Sequence, residues 1–298
     1  MRFVSWKRFF SYFLITHGLQ SAPMFPRVPR HLPRVMRLLI FLICVPVLAT
    51  TARSQIPFYT DDADTTPKGK FHIEVYDEHD VLQKSAYPTK RQNTLVFTLN
   101  YGLTKKLEFG VNAPLITLSN SRIAVPRSVS GQGDVQFGLK YRLRDEREGS
   151  RLPAFSAVFY IEAPTGNTQK ELGSGLTDFW VYGIAQKSVT KATKLRLNGG
   201  ILFSGNSSTG LIGIRTERGH IYTGNASLVR DFTNRLSLGV ELFGAVTGNF
   251  KLDRGQLTAQ AGGHYAVNDK LTLTFAVLGG RFAASPRGGV HLGFSYDF

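Results

Sequence analysis

Cysteine, methionine and long apolar runs are all scarce in this chain, and each scarcity removes a class of protein. The 298 residues hold one Cys and three Met, and all four precede residue 45. Disulfide scaffolds, thiolate metal sites and cysteine nucleophiles are therefore excluded downstream of that point. No apolar stretch is long enough for a membrane-spanning helix, while a hydrophobic content of 42% is too high for a disordered chain. Acidic residues are missing from the first 53 positions, which carry eight Lys and Arg. Setting that segment aside reduces the formal charge from +15 to 28 basic against 21 acidic residues, or +7. The remainder forms neither a basic run nor an Arg/aromatic cluster, so no nucleic-acid partner is expected.

What is present is glycine and aromatics, 30 Gly against 22 Phe, 11 Tyr and 2 Trp. Aromatics suit a pleated surface and Gly weakens helix interiors, which points to an all-β chain of short strands and tight turns. Met36 to Ser54 reads as a secretory signal: Arg34 and Arg37 mark a basic start, Leu38 to Leu48 forms an apolar core, and Ala49 and Ala52 follow. Cys44 lies inside that core after Ile43, which is not the position of a lipid-anchored Cys. Residues 1–35 have no comparable logic; they read as an unassigned extension, an overlong basic region, a start upstream of the true one at Met36, or a disordered tail. The expected division is then 36–54 as signal peptide, 55–69 as a periplasmic N-terminal segment and 70–298 as a barrel.

From Phe71 onward apolar residues recur at every second position, the strand period. Twelve such strands can be traced, from Phe71, Ile73 and Val75 through Leu95 to Tyr101, Leu107 to Ala113, Val135 to Tyr141 and so on to Val290, Leu292, Phe294, Tyr296 and Phe298. Tight polar turns recur, at Tyr101-Gly-Leu-Thr-Lys-Lys-Leu107, Ser188-Val-Thr-Lys-Ala-Thr-Lys-Leu195, Asp231-Phe-Thr-Asn-Arg-Leu236 and Ala266-Val-Asn-Asp-Lys-Leu271, each placing a basic residue before an alternating strand. Longer polar connections at Ser119–Gly131, Thr165–Gly175, Ser204–Gly219 and Thr247–Gly255 lie between them. Short turns on one side and long loops on the other predict an antiparallel up-and-down transmembrane β-barrel of about 12 strands, with both termini on the periplasmic side.

Alternation alone does not say which face meets lipid, because soluble sandwiches alternate too. The face opposite the apolar one carries Glu74, Glu108, Lys140, Arg142, Glu162, Arg196, Glu241 and Asp297, which a hydrated lumen accepts and hydrocarbon does not. These eight are the expected lumen-lining residues. Their mixed signs favour an internal salt-bridge network over a selectivity ring, hence a gated or plugged conduit over an open porin. The chain ends on Phe298, and Phe294, Tyr296 and Phe298 resemble the C-terminal signal read by barrel-assembly machinery.

Particular segments carry a family resemblance. Pro57-Phe-Tyr-Thr-Asp-Asp-Ala-Asp-Thr-Thr-Pro67 with Gly69-Lys-Phe-His-Ile-Glu74, Asn100 to Leu115, Gly133-Asp-Val-Gln-Phe-Gly-Leu-Lys-Tyr-Arg142, Ala163-Pro-Thr-Gly-Asn167, Gly173 to Asp178 and Gln186-Lys187 together resemble a family of outer-membrane barrels named for the MetA pathway of phenol degradation. The resemblance spans most of residues 57–298 and rests on turn and strand patterns without catalytic content. It implies a barrel passing hydrophobic or aromatic compounds, and it brings no transport residue with it.

Candidate sites for chemistry are thin. Asp61, Asp62 and Asp64 lack the alternation and glycine of a calcium loop and read as a solvated cap, with closure of the periplasmic mouth as the structural role. His72, His79, His220, His264 and His291 sit on different strands without metal-ligand spacing. No Gly-x-Ser-x-Gly elbow or phosphate loop occurs, and Gly131-Gln-Gly133 and Gly173-Ser-Gly175 sit where Gly permits a turn. The reading is a channel, not an enzyme, for small hydrophobic or aromatic molecules in the outer membrane. It is expected to need no cofactor or metal, and its partners are outer-membrane lipid and the assembly machinery. The alternatives are a non-conducting structural or binding barrel acting through its loops and, behind that, a barrel-embedded hydrolase.

Overall fold

The computed structural model of the chain describes residues 56–205, 218–247 and 255–298. The expected signal peptide at 36–54, residues 1–35, and most of the connections at Ser204–Gly219 and Thr247–Gly255 lie outside the described residues. Thirteen strands are present: β1 (Phe71–Val81), β2 (Thr89–Gly102), β3 (Leu107–Asn120), β4 (Ser128–Gln132), β5 (Val135–Arg144), β6 (Ala154–Ala163), β7 (Asp178–Thr190), β8 (Thr193–Gly205), β9 (Arg218–Asp231), β10 (Leu236–Thr247), β11 (Gln256–Ala266), β12 (Leu271–Gly280) and β13 (Gly288–Asp297). Twelve of them close a ring of antiparallel neighbours, with β13 returning to β1. β4 stands outside the ring and pairs with β3 only, from Leu115↔Gln132 to Ser119↔Ser128, because β5 joins β3 no higher than Asn112. The sequence pattern gives no sign of β4, whose Ser-Val-Ser-Gly-Gln holds a single apolar residue.

The barrel follows from residue-by-residue alternation. In β10, Leu236, Leu238, Val240 and Leu242 point outward while Ser237, Gly239, Glu241 and Phe243 point inward; Val240 is 57% exposed and Glu241 4%. The same division runs around the ring: Leu292 and Val277 are about 60% exposed, whereas His291 and Ser295 are buried. An outer wall of exposed Leu, Val and Phe around a buried polar interior reverses the arrangement of a soluble protein. It matches a sheet whose solvent is hydrocarbon, every backbone group satisfied by the neighbouring strand. Near the short-turn ends Phe71, Tyr101, Tyr141, Tyr265 and Phe298 form an aromatic girdle, Phe71 and Tyr101 in contact at 4.6 Å. Leu292 sits midway along β13, so Leu292→Arg is expected to cost about 2–4 kcal/mol in urea unfolding of the barrel in vesicles.

The recurring turn motif has one mechanism. A Thr or Asn side chain at its head accepts the backbone N–H groups that open the next strand: Thr104 from Lys106 and Leu107, Thr233 from Arg235 and Leu236, Asn268 from Lys270 and Leu271, all at 2.9–3.2 Å. Such side-chain turns set the hairpin register without a long loop.

Candidate functional site

Inside the ring the most consequential element is the segment before β1. Residues 56–66 lie in the short-turn half of the lumen, where Ile56, Phe58 and Ala63 are buried and Thr60 is fully enclosed. Without a partner strand, their backbone groups need side-chain partners in the barrel wall. Ile56 N–H donates to Glu74 at 3.4 Å, Tyr59 N–H to Glu241 at 2.9 Å and Thr66 N–H to Glu108 at 2.6 Å; Gln260 donates to the Pro57 carbonyl at 2.6 Å. Thr60 gives both its N–H and its hydroxyl to Glu241, and the Tyr59 hydroxyl reaches Glu78. Phe58 lies over Gly239, where a side chain would meet its ring at 2.9 Å.

The acidic cluster is not the solvated cap that its sequence suggests. Asp61 and Asp62 are only 4% and 7% exposed. Lys140 Nζ lies 2.6 Å from Asp61 and 3.4 Å from Asp62, and Arg196 is 3.6 Å from Asp62. The Tyr182 hydroxyl donates to Asp61 at 2.9 Å. Asp64, which remains exposed, pairs with Arg142 at 2.8 Å, and Arg142 also donates to the Ala63 carbonyl. The physical reason is charge: inward-facing cations on β5 and β8 need buried counter-charges, and these three carboxylates supply them. Burial pushes the Asp61 carboxyl up to about 6 even beside Lys140. Burial acts on Asp62 in the same direction, but Lys140 and Arg196 outweigh it and hold that group below the usual carboxylate range.

All eight charges expected on the polar face point inward, and they divide into two sets. Glu74, Glu108, Lys140, Arg142, Arg196 and Glu241 grip the 56–66 segment. Asp297 instead holds His72 at 2.7 Å, and Glu162 accepts from Gln136 at 2.8 Å. Glu162 belongs to a second carboxyl group that the sequence reading missed, with Asp134 and Asp178. Asp134 is fully buried and its two oxygens accept the N–H groups of Gly166 at 2.7 Å and Ser174 at 2.9 Å, the two flanks of one extracellular loop. That loop folds inward so that Leu172 packs against Ile116 and Leu118 of β3. Burial, with the charge of Asp178 alongside, pushes the Asp134 carboxyl up to about 8.

Above the 56–66 segment lies a cavity of about 210 Å³ walled by Phe58, Tyr76, Val96, Tyr160, Trp180, Tyr182 and Phe243, with the amides of Asn100, Asn112, Gln136 and Asn225 and the carboxyl groups of Asp61, Glu74, Glu78 and Glu108 as its polar lining. Tyr160, Trp180 and Tyr182 form a continuous aromatic shelf across β6 and β7, Trp180 and Tyr182 being 4.6 Å apart. The signal for this shelf is in the sequence: β7 carries Phe179 and Val181 outward and Trp180, Tyr182 and Ile184 inward, so both faces are apolar. Among the described residues no group of His, Cys, Asp and Glu could hold a metal. The described hydrogen bonds of His72 and His79 run to Glu74, Asp297 and Asn93.

Comparisons with known proteins agree with this architecture. The sequence profile of the family described as "Putative MetA-pathway of phenol degradation" matches residues 101–298. The COG4313 outer membrane channel from Pseudomonas putida F1 superposes with a TM-score of 0.62 at 19% identity, covering 80% of this chain and 98% of its own. The NanC porin superposes with a TM-score of 0.52 at 8% identity, over 75% and 98%. At these identities the likeness establishes the fold, that of outer-membrane channels and porins. No curated protein sequence matches the chain.

Proposed function

The chain belongs to the family named for the MetA pathway of phenol degradation, and on that premise we propose that it is a facilitated outer-membrane channel for small hydrophobic or aromatic molecules. One observation carries the reading: an aromatic-walled cavity of about 210 Å³ inside the ring of strands. An apolar cavity of about 150 Å³ accommodates benzene, so this one suits a monocyclic solute with a small substituent. Amide and carboxyl groups beside the aromatic shelf can orient such a substituent, the carboxyl oxygens accepting from a hydroxyl. Lys140 and Arg196, the buried Lys and Arg among the described residues, are matched by Asp61 and Asp62, which seats the 56–66 segment against the wall. A conduit rather than a catalyst is supported by the likeness of the fold to outer-membrane channels and porins.

The eight inward charges act on this reading as the frame of a plug and of the loop above it. Phe294, Tyr296 and Phe298 serve as the assembly signal, supported by their place on the outer face of the strand that closes the ring.

The test is flux into proteoliposomes of a monohydroxylated monoaromatic against a neutral sugar of similar mass. The aromatic is expected to enter faster, and Trp180→Ala is expected to shrink its advantage severalfold. Aromatic entry no faster than into empty vesicles defeats the channel reading and leaves a binding barrel that acts through its loops.

A further inference from the structure

Two extracellular connections meet above the junction of β12, β13 and β1, and their composition is one-sided. Residues 81–92 carry Lys84, Lys90 and Arg91, residues 280–289 carry Arg281 and Arg287, and neither stretch contains Asp or Glu. Lys84, Arg281 and Arg287 line an open recess of about 350 Å³ with Gln83, Ser85 and Ala283. The recess is braced: Arg287 N–H donates to the Val81 carbonyl at 2.7 Å, and the Gln83 side chain donates to the Gly280 carbonyl at 2.9 Å. Three cations held together with no carboxylate among the lining residues create a positive potential that favours a multivalent anion.

The wall below the recess identifies what kind of anion. Val277 and Val290 pair across β12 and β13, and with Leu292 they form an exposed apolar strip, at 60%, 46% and 61% exposure. Beyond them the outward positions Gly279 and Gly288 carry no side chain, leaving a notch between the apolar strip and the cations. A ligand that satisfies both has acyl chains below and phosphate above.

We propose that the recess seats the phosphorylated headgroup of an outer-leaflet glycolipid whose acyl chains lie along the β12–β13 wall. Arg281 and Arg287 offer guanidinium forks that meet phosphate oxygens in pairs, and Lys84 adds a point charge. The site is separate from the lumen and does not depend on conduction.

The test is native mass spectrometry of the full chain released from detergent with added diphosphoryl lipid A, checked for a folded barrel by heat-modifiable gel mobility. A retained lipid adduct is expected, weakened about fivefold for each cation removed in Lys84→Gln, Arg281→Gln and Arg287→Gln. Lys105→Gln in a periplasmic turn should leave it unchanged. Arg281→Lys with Arg287→Lys should retain part of the binding, since charge persists without the fork. Equal adducts in the triple variant overturn the proposal, as does equal binding of the dephosphorylated lipid, which assigns retention to the apolar wall alone. Displacement of the lipid by millimolar inorganic phosphate, with no contribution from the chains, overturns it in favour of a free-anion site.

Discussion

A Lys140→Met barrel is expected to conduct ions in planar bilayers well above the unaltered barrel. Among the described residues Lys140 is the one cation that pairs with both Asp61 and Asp62, and its removal leaves two buried carboxylates, Asp62 with Arg196 and the charge of Lys194 nearby and Asp61 without its ion pair. Breaking a buried pair on one side costs about 3–5 kcal/mol, because the surviving charge is stranded away from water. Applied to the seated plug, that cost shifts the balance toward release by about a hundred- to a few thousand-fold. Combining Lys140→Met with Asp61→Asn removes the stranded charge while Asp62 keeps Arg196 as its partner, and should restore the low conductance. Unchanged conductance in the single variant, in a barrel that remains folded, means that the ion pair does not seat the segment.

The second large effect is on pH. Burial pushes the Asp134 carboxyl up to about 8, well above an ordinary aspartate near 4, so between those values the cluster it forms with Glu162 and Asp178 holds a proton in the folded state that an open loop would release. Closure of the loop at Gly166 and Ser174 is then fully supported below about pH 4 and declines as pH rises toward 8, by up to about 1.4 kcal/mol per unit. Amide exchange at Gly166 and Ser174, corrected for intrinsic rate, should therefore accelerate from pH 6.5 to 9. Asp61, at about 6, is largely ionised through that window and adds little. Asp178→Asn removes a charge that raises Asp134 and should flatten the response. A flat profile in the unaltered protein contradicts the latch.

The ring of strands was legible because strand period, turn chemistry and face are written at each residue: Leu236-Ser-Leu-Gly-Val-Glu-Leu242 states its own two faces. The contents of the ring were not. Residues 56–66 run irregularly and carry no period, so nothing local distinguishes a plug from a tail. Asp61 and Asp62 looked solvated because the cations that they meet in the interior, Lys140 and Arg196, arrive from strands about 80 to 130 positions later; Asp64 does stay exposed, paired with Arg142. Charge on the inward face was readable; what it would meet there was not. Asp134 escaped notice for a similar reason, since its work is to hold backbone N–H groups of a loop 32 and 40 residues away.

The ring closes between β1 and β13, the first strand and the last. The segment made before any strand is thus enclosed only when the final strand arrives, and until then Lys140, Arg196 and Glu241 face an open trough. The protein must wrap itself around its own leading end, so a slip of that end during biogenesis would leave a sealed cylinder with mismatched charges and no simple way to correct them.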